Sequence, residues 1–161
     1  NKQELFIAVV DKFWFSTQNP RNKFAETNGT FAEFIDEYVC GVQRTMDMLG
    51  NLIGADKDKL AQGKFTYHAQ YFHFLFQLLQ YDPDAKEKLH KLVEVDYAYW
   101  RTAIQRAIDS GELRKDVDVE DAVVMFRQVY MGLSFEMSFL GGLDTGRLAK
   151  HLYAVYSLLK C

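Results

Sequence analysis

The chain has 161 residues, 48% of them hydrophobic and 25% charged, with a formal net charge of -3. These values fit one globular domain burying roughly 70% of its unfolded surface, and they exclude a disordered or collagen-like chain. The acidic balance, with no basic stripe, also argues against nucleic-acid binding by these residues themselves.

Asn1 stands three residues before Glu4, the spacing of a capping box, ahead of Leu5, Phe6, Val9, Val10 and Phe13. A first helix is predicted from about Lys2 to Ser16. The polar stretch from Thr17 to Gly29, with Pro20, ends it. Thr30 then caps a second helix in which Phe31, Phe34, Ile35, Tyr38, Val39, Val42, Met46, Leu49 and Ile53 recur every three or four positions. Asp56-Lys57-Asp58-Lys59 reads as a connector. From Phe65 to Tyr81 the polar residues Thr66, Gln70, His73, Gln77 and Gln80 form one narrow stripe, so a helix surrounded by protein is predicted there.

Asp82-Pro83 places a cap and then the residue favoured at the first helical position, predicting a helix to Ser110 that stops at Gly111. Its stripe is Leu89, Leu92, Val93, Trp100, Ala103, Ile104 and Ala107. Asp118 caps a further helix to about Leu140, and Asp144 caps the last, to Lys160. No run alternates with period two over a strand's length. The chain therefore reads as all-α, a single domain of six helices over 1–161 with no internal repeat.

The helix after Asp118 has two apolar faces. Val119, Ala122, Val123, Phe126, Val129, Tyr130, Leu133, Met137 and Leu140 make one, while Val124, Met131, Phe135 and Phe139 make the other. In the last helix Leu148, Leu152, Val155, Tyr156 and Leu159 face one way, and Arg147, His151, Ala154 and Leu158 form a mixed second stripe. Paired outer stripes on neighbouring helices predict a homodimer interface of four helices, two from each subunit. The alternative cover is the first helix or a long loop.

Several strings, in this order, resemble the ligand-binding and dimerisation domain of the tetracycline-repressor family of transcriptional regulators. Asn1-Lys2-Gln3-Glu4-Leu5-Phe6-Ile7-Ala8-Val9 looks like the start of that family's fourth helix, and Ala107-Ile108-Asp109-Ser110-Gly111-Glu112-Leu113-Arg114-Lys115-Asp116-Val117-Asp118 like the connection between its seventh and eighth. Gly132-Leu133 sits mid-helix as in many members, and Leu158-Leu159-Lys160 looks like the end of the ninth. The resemblance implies that the six helices are the family's fourth to ninth and that the last two join a homodimer. It implies a small, largely apolar effector bound inside the helices, and a repressor released from DNA by that effector. The family's DNA-reading element would precede residue 1 and is absent from this chain, so operator DNA would be reached only through it.

Aromatic residues make up 15% of the chain, and aromatic walls with a few polar groups line small-molecule pockets and cores alike. The candidate ligand lining is Tyr38, Tyr67, Tyr71, Phe74, Asp96, Trp100, Phe126 and Tyr130. Asp96 is the sharpest of these. It lies mid-stripe, one turn from Val93 and Trp100, where an unpaired carboxylate is costly, so it requires a buried partner or a ligand. A cationic or hydrogen-bond-donating effector would suit Asp96, and also Glu136 at the border of the two stripes of its helix.

No metal or cofactor is expected. His68 and His73 lack the i, i+4 spacing of a helical metal pair, and Cys40 and Cys161 form no CxxC motif, which fits a reducing, cytoplasmic compartment. An enzyme of the di-iron type would need several inward Glu-x-x-His groups, and Glu87 to His90 is the one match. A protein-interaction or adaptor domain is the other alternative; it would use the double-faced helices without an internal cavity. No run is apolar and long enough to span a bilayer, so no membrane association is expected.

Overall fold

The computed structural model describes residues 1–24, 29–52 and 67–161, and among these the chain forms six helices and no strand. The predicted connector Asp56–Lys59 lies outside the described residues, as do Phe65 and Thr66. Helix α1 (Lys2–Val9) opens on the predicted capping box: Asn1 Oδ1 accepts from Glu4 N at 2.9 Å, and Glu4 Oε2 accepts from the terminal amine at 2.8 Å. It runs on through a π turn (Val10–Trp14) and a last α turn (Phe15–Thr17), with Val10 and Trp14 buried. Helix α2 (Phe31–Leu52) begins on a second capping box, in which Thr30 Oγ1 accepts from Glu33 N and Glu33 Oε2 from Thr30 N.

Helix α3 (Tyr67–Tyr81) is followed by α4 (Ala85–Asp109), which starts two residues later than Asp82-Pro83 predicts. The reason is a polar turn. Asp82 spends its Oδ1 on Asp84 N (2.9 Å) and its carbonyl on Ala85 N (3.1 Å), while Oδ2 meets Lys88 Nζ at 2.9 Å. Lys88 Nζ also reaches Asp11 Oδ1 at 2.7 Å, tying the π turn of α1 to the head of α4. At the far end of α4, Gly111 adopts φ +77°, which lets Glu112 N and Leu113 N return to Ala107 O.

Asp118 caps α5 (Val119–Ser138) through Asp121 N, and Asp144 caps α6 (Thr145–Leu159) through Gly146 N and Arg147 N. Helix α5 stops two residues short of Leu140. That residue, predicted to face inward, is instead 66% exposed, because beyond Ser138 the chain turns back and Gly142 N bonds Met137 O.

The main core lies between α2, α4, α5 and α6 and centres on Trp100, which stacks on Phe126 at 5.0 Å and meets Phe34 and Tyr38 edge-on at 5.0 and 4.9 Å. A smaller core joins α1, α3 and the first half of α4 through Val10, Trp14, Leu78 and Ala85, with Phe6, Tyr71, Phe74 and Leu89 packed against them. Helix α3 is not surrounded by protein as its composition suggests. Leu78 is fully buried, but Phe76 is 63% exposed and Leu79 and Tyr81 lie open, since α1, α4 and α5 cover it from one side only.

Glu112, just past the end of α4, binds three donors from two other helices. Its Oε2 accepts from Phe31 N at 2.8 Å and its Oε1 from Ala32 N at 3.3 Å, placing a negative charge at the N-terminus of α2. Oε1 also accepts from the Tyr156 hydroxyl at 2.8 Å. A bridge between Leu113 and Lys160, with Arg114 N bonding Leu159 O, closes the same connection against the end of α6.

Candidate functional site

Asp96 has a buried partner. Arg127 Nη1 of α5 approaches its Oδ2 at 2.9 Å, and both side chains are only 7% exposed. The approach lies off the N–H axis, so Arg127 Nη1 and Nε and Asp96 Oδ1 all keep unused hydrogen-bonding capacity. The guanidinium carbon sits 5.7 Å from the Tyr97 ring and 5.8 Å from the Tyr130 ring, within cation–π range of both. Tyr38 is edge-on to Trp100 at 4.9 Å and to Tyr130 at 5.8 Å, which brings its hydroxyl into the field of Arg127 without an aligned hydrogen bond.

The electrostatics follow from enclosure. Burial pushes the Tyr38 phenol well above its ordinary range, with Tyr130 and Asp96 adding to the effect and Arg127 opposing it, so Tyr38 is a neutral hydroxyl. Burial works most strongly against charge on Arg127, but the Asp96 carboxylate, Tyr38 and Tyr130 together outweigh it and hold the guanidinium more firmly protonated than in water. Trp100 Nε1 and Ser134 Oγ are also buried without a hydrogen-bond partner. Ser134 follows Tyr130 by four residues and Arg127 by seven, so the three share one face of α5. Unused buried polar atoms normally cost about 1–3 kcal/mol each, so a group of them packed among aromatic rings calls for a physical reason.

A second cation stands beside the pair. Lys23 is held by a turn on Pro20, with Lys23 N and Phe24 N both bonding Pro20 O, and its Nζ lies 5.3 Å from the Tyr130 centroid. Gly41 of α2 permits this placement. A Cβ there would fall 2.1 Å from Lys23 O, so no larger residue lets the Lys23 backbone press against α2.

Of the predicted ligand residues, Tyr38, Asp96, Trp100, Phe126 and Tyr130 come together here. Tyr71 and Phe74 do not; they pack against Trp14 at 5.9 and 5.7 Å in the smaller core. Tyr67 opens α3, and its side chain, like that of His68, lies outside the described residues. Glu136 is exposed rather than enclosed with Asp96, and His73 is exposed as its polar stripe suggests. Sequence reasoning missed Arg127, Lys23 and Ser134. The signal for Arg127 was present, since it stands four residues after Val123 and three before Tyr130 on the inward stripe of α5.

The outer stripe is largely open. Val124, Phe135, Phe139, Arg147, Ala154 and Leu158 are exposed, with Phe139 at 71%, while Met131 and His151 are half-buried. Phe135 meets Phe72 of α3 at 5.3 Å and Phe139 at 5.1 Å, so α3 covers one edge of the stripe. Elsewhere, an open cleft of about 590 Å³ runs between Arg101, Arg106 and Glu120, but Arg101 is already bonded to Glu120 and Gln105 to Asp109. It lies away from the buried pair and offers little enclosed surface. Among the described residues no His, Cys, Asp and Glu group has the arrangement of a metal site, and no helix is long and apolar enough to cross a membrane.

Residues 61–135, which include Asp96, Trp100, Phe126, Arg127 and Tyr130, match the model of the tetracyclin repressor-like C-terminal domain. That match covers less than half of the chain, and the domain type it describes is found in regulators rather than enzymes. No match was found among curated proteins or solved structures.

Proposed function

We propose that this domain senses a small effector in the Asp96–Arg127 cluster, dimerises through the outer stripe of α5 and α6, and thereby releases a cytoplasmic repressor from its operator. The observation that carries the reading is the group of unused polar atoms on Tyr38, Asp96, Trp100, Arg127 and Ser134 inside an aromatic core. Such atoms are destabilising in an ordinary core and useful in a binding site. DNA would be contacted by a helix-turn-helix domain joined ahead of α1. The smaller core, which ties α1 to α3 and α4 through Trp14 and Lys88, gives α1 a firm seat on the sensing helices. Coupling then requires that the effector bind one placement of α1 better than another.

The dimer carries the first test. Phe139→Glu with Leu158→Glu places charge on the two most open apolar positions of the stripe without touching the main core. Sedimentation velocity is expected to show a dimer for the parent chain and a folded monomer for the variant. A parent chain that sediments as a monomer at 100 µM would remove the dimer from the proposal.

A further inference from the structure

The open apolar surface is not spread evenly along the outer stripe. On α6 the stripe is mixed: Arg147 and Ala154 are exposed, His151 is half-buried, and Leu158 is its one large open apolar residue. On α5 the stripe is strongest at the C-terminal end, where Phe135 and Phe139 both lie open. That end is where α3 joins. Phe72 of α3 meets Phe135 at 5.3 Å and Phe135 meets Phe139 at 5.1 Å, so the rings form a continuous run across the two helices. Helix α3 carries the run further. At about 100° per residue, Phe72, Phe76 and Leu79 lie within an arc of about 60°, a shoulder between the inward residues Leu75 and Leu78 and the polar stripe of α3.

Phe76 and Leu79 on this shoulder are 63% and 41% exposed, and no Asp, Glu, Lys or Arg occurs anywhere in α3. An open, aromatic and uncharged helix face has the composition of an interface core, from which Lys, Glu and Asp are depleted, and not that of a solvated surface. The size of the stripe points the same way. A stable interface takes about 800 Å² and 20–30 residues from each partner. The eight stripe residues of α5 and α6 supply a fraction of that, and their apolar weight sits beside α3. We propose that a second copy of this chain covers the α3 shoulder together with the outer stripe, so that each subunit contributes three helices and the apolar centre of the dimer lies at Phe76, Phe135 and Phe139. The inference rests on the dimer proposed above and moves its centre from the α5–α6 seam to the α3–α5 junction. It also gives α3 two tasks, since the opposite side of the same helix packs Phe74 and Leu78 into the smaller core that seats α1.

Sedimentation equilibrium of the parent and three variants tests the assignment. Phe76→Glu with Leu79→Glu charges the shoulder and leaves the buried Leu78 in place; circular dichroism checks that it folds. In a two-fold interface each change is felt twice, so the dimer is expected to dissociate at least tenfold more readily. Phe76→Gln alone, a gentler change at an open position, is expected to weaken the dimer at least threefold. His73→Glu puts the same charge on the polar stripe of the same helix and is expected to change the dissociation constant less than twofold. A dimer as tight as the parent's in both shoulder variants would overturn the role of α3 and leave the α5–α6 dimer standing. Equal weakening by His73→Glu would overturn it as well, because the effect would then follow charge anywhere on α3. A parent chain that is monomeric at 100 µM removes both readings together.

Discussion

Breaking the Asp96–Arg127 pair from one side should be far more damaging than removing it whole. Asp96→Leu strands a guanidinium that is 7% exposed, and Arg127→Met strands an equally buried carboxylate. Loss of one member of a buried pair costs about 3–5 kcal/mol, which for a domain of this size lowers Tm by roughly 6–20 °C. The double variant should behave differently. The pair approaches at 2.9 Å but leaves Asp96 Oδ1 and Arg127 Nε and Nη1 unbonded, so its attraction offsets little more than its own desolvation. Replacement of both groups by apolar side chains should land within about 1 kcal/mol of the parent, the loss of the Arg127 contacts with Tyr97 and Tyr130 being the main remaining cost. Urea unfolding followed by circular dichroism, at one fixed protein concentration, gives the four corners of the cycle. A single Asp96→Leu cost below about 1 kcal/mol, or single costs that simply add in the double variant, would refute the buried-pair reasoning.

Glu112→Ala removes the acceptor for Phe31 N, Ala32 N and the Tyr156 hydroxyl together, and thermal melts should show a loss of about 2–4 kcal/mol, with Glu112→Gln milder because one acceptor oxygen remains. Gly41→Ala drives a Cβ to within 2.1 Å of Lys23 O, so the Lys23 turn must lift from α2; the expected cost is about 1–3 kcal/mol, and limited trypsin digestion should gain a cut after Lys23 that mass spectrometry detects. Alkaline titration tests the tyrosines of α6. Burial first, and then hydrogen bonds to Asp36 and Glu112, push Tyr153 and Tyr156 up to about 12. Both neutral phenols are favoured by the folded state, so their contribution is complete below pH 10 and fades between pH 10 and 12. Across that window the parent should lose more stability in urea than the Tyr153→Phe, Tyr156→Phe double variant; parallel losses would show that these hydrogen bonds do not set the two values.

The ends of the helices were legible from local chemistry, since a cap is decided within four residues. Asn1 with Glu4, Thr30, Asp118 and Asp144 all cap as the sequence predicts, and Gly111 ends α4 in the left-handed region that favours glycine. The stripes of α4 and α6 likewise mark their buried faces, through Trp100, Ile104, Leu148 and Leu152, because burial follows the helical period. Asp96 was recognisable as a residue in need of a partner for the same reason.

Which group supplies that partner depends on how α4 crosses α5, and no local period encodes a crossing. Arg127 stands 31 positions from Asp96, and Glu112 reaches Phe31 across 81. Lys23 enters the site only because Gly41 lets a loop close on α2. Tyr71 and Phe74 share the aromatic character of Tyr38 and Trp100, yet α1 draws them into a separate core around Trp14. One strand of chemistry is thus local and the other is not: periodicity and caps set where each helix runs and which face it buries, whereas the charge balance of the site arises only when distant side chains are packed beyond the reach of water.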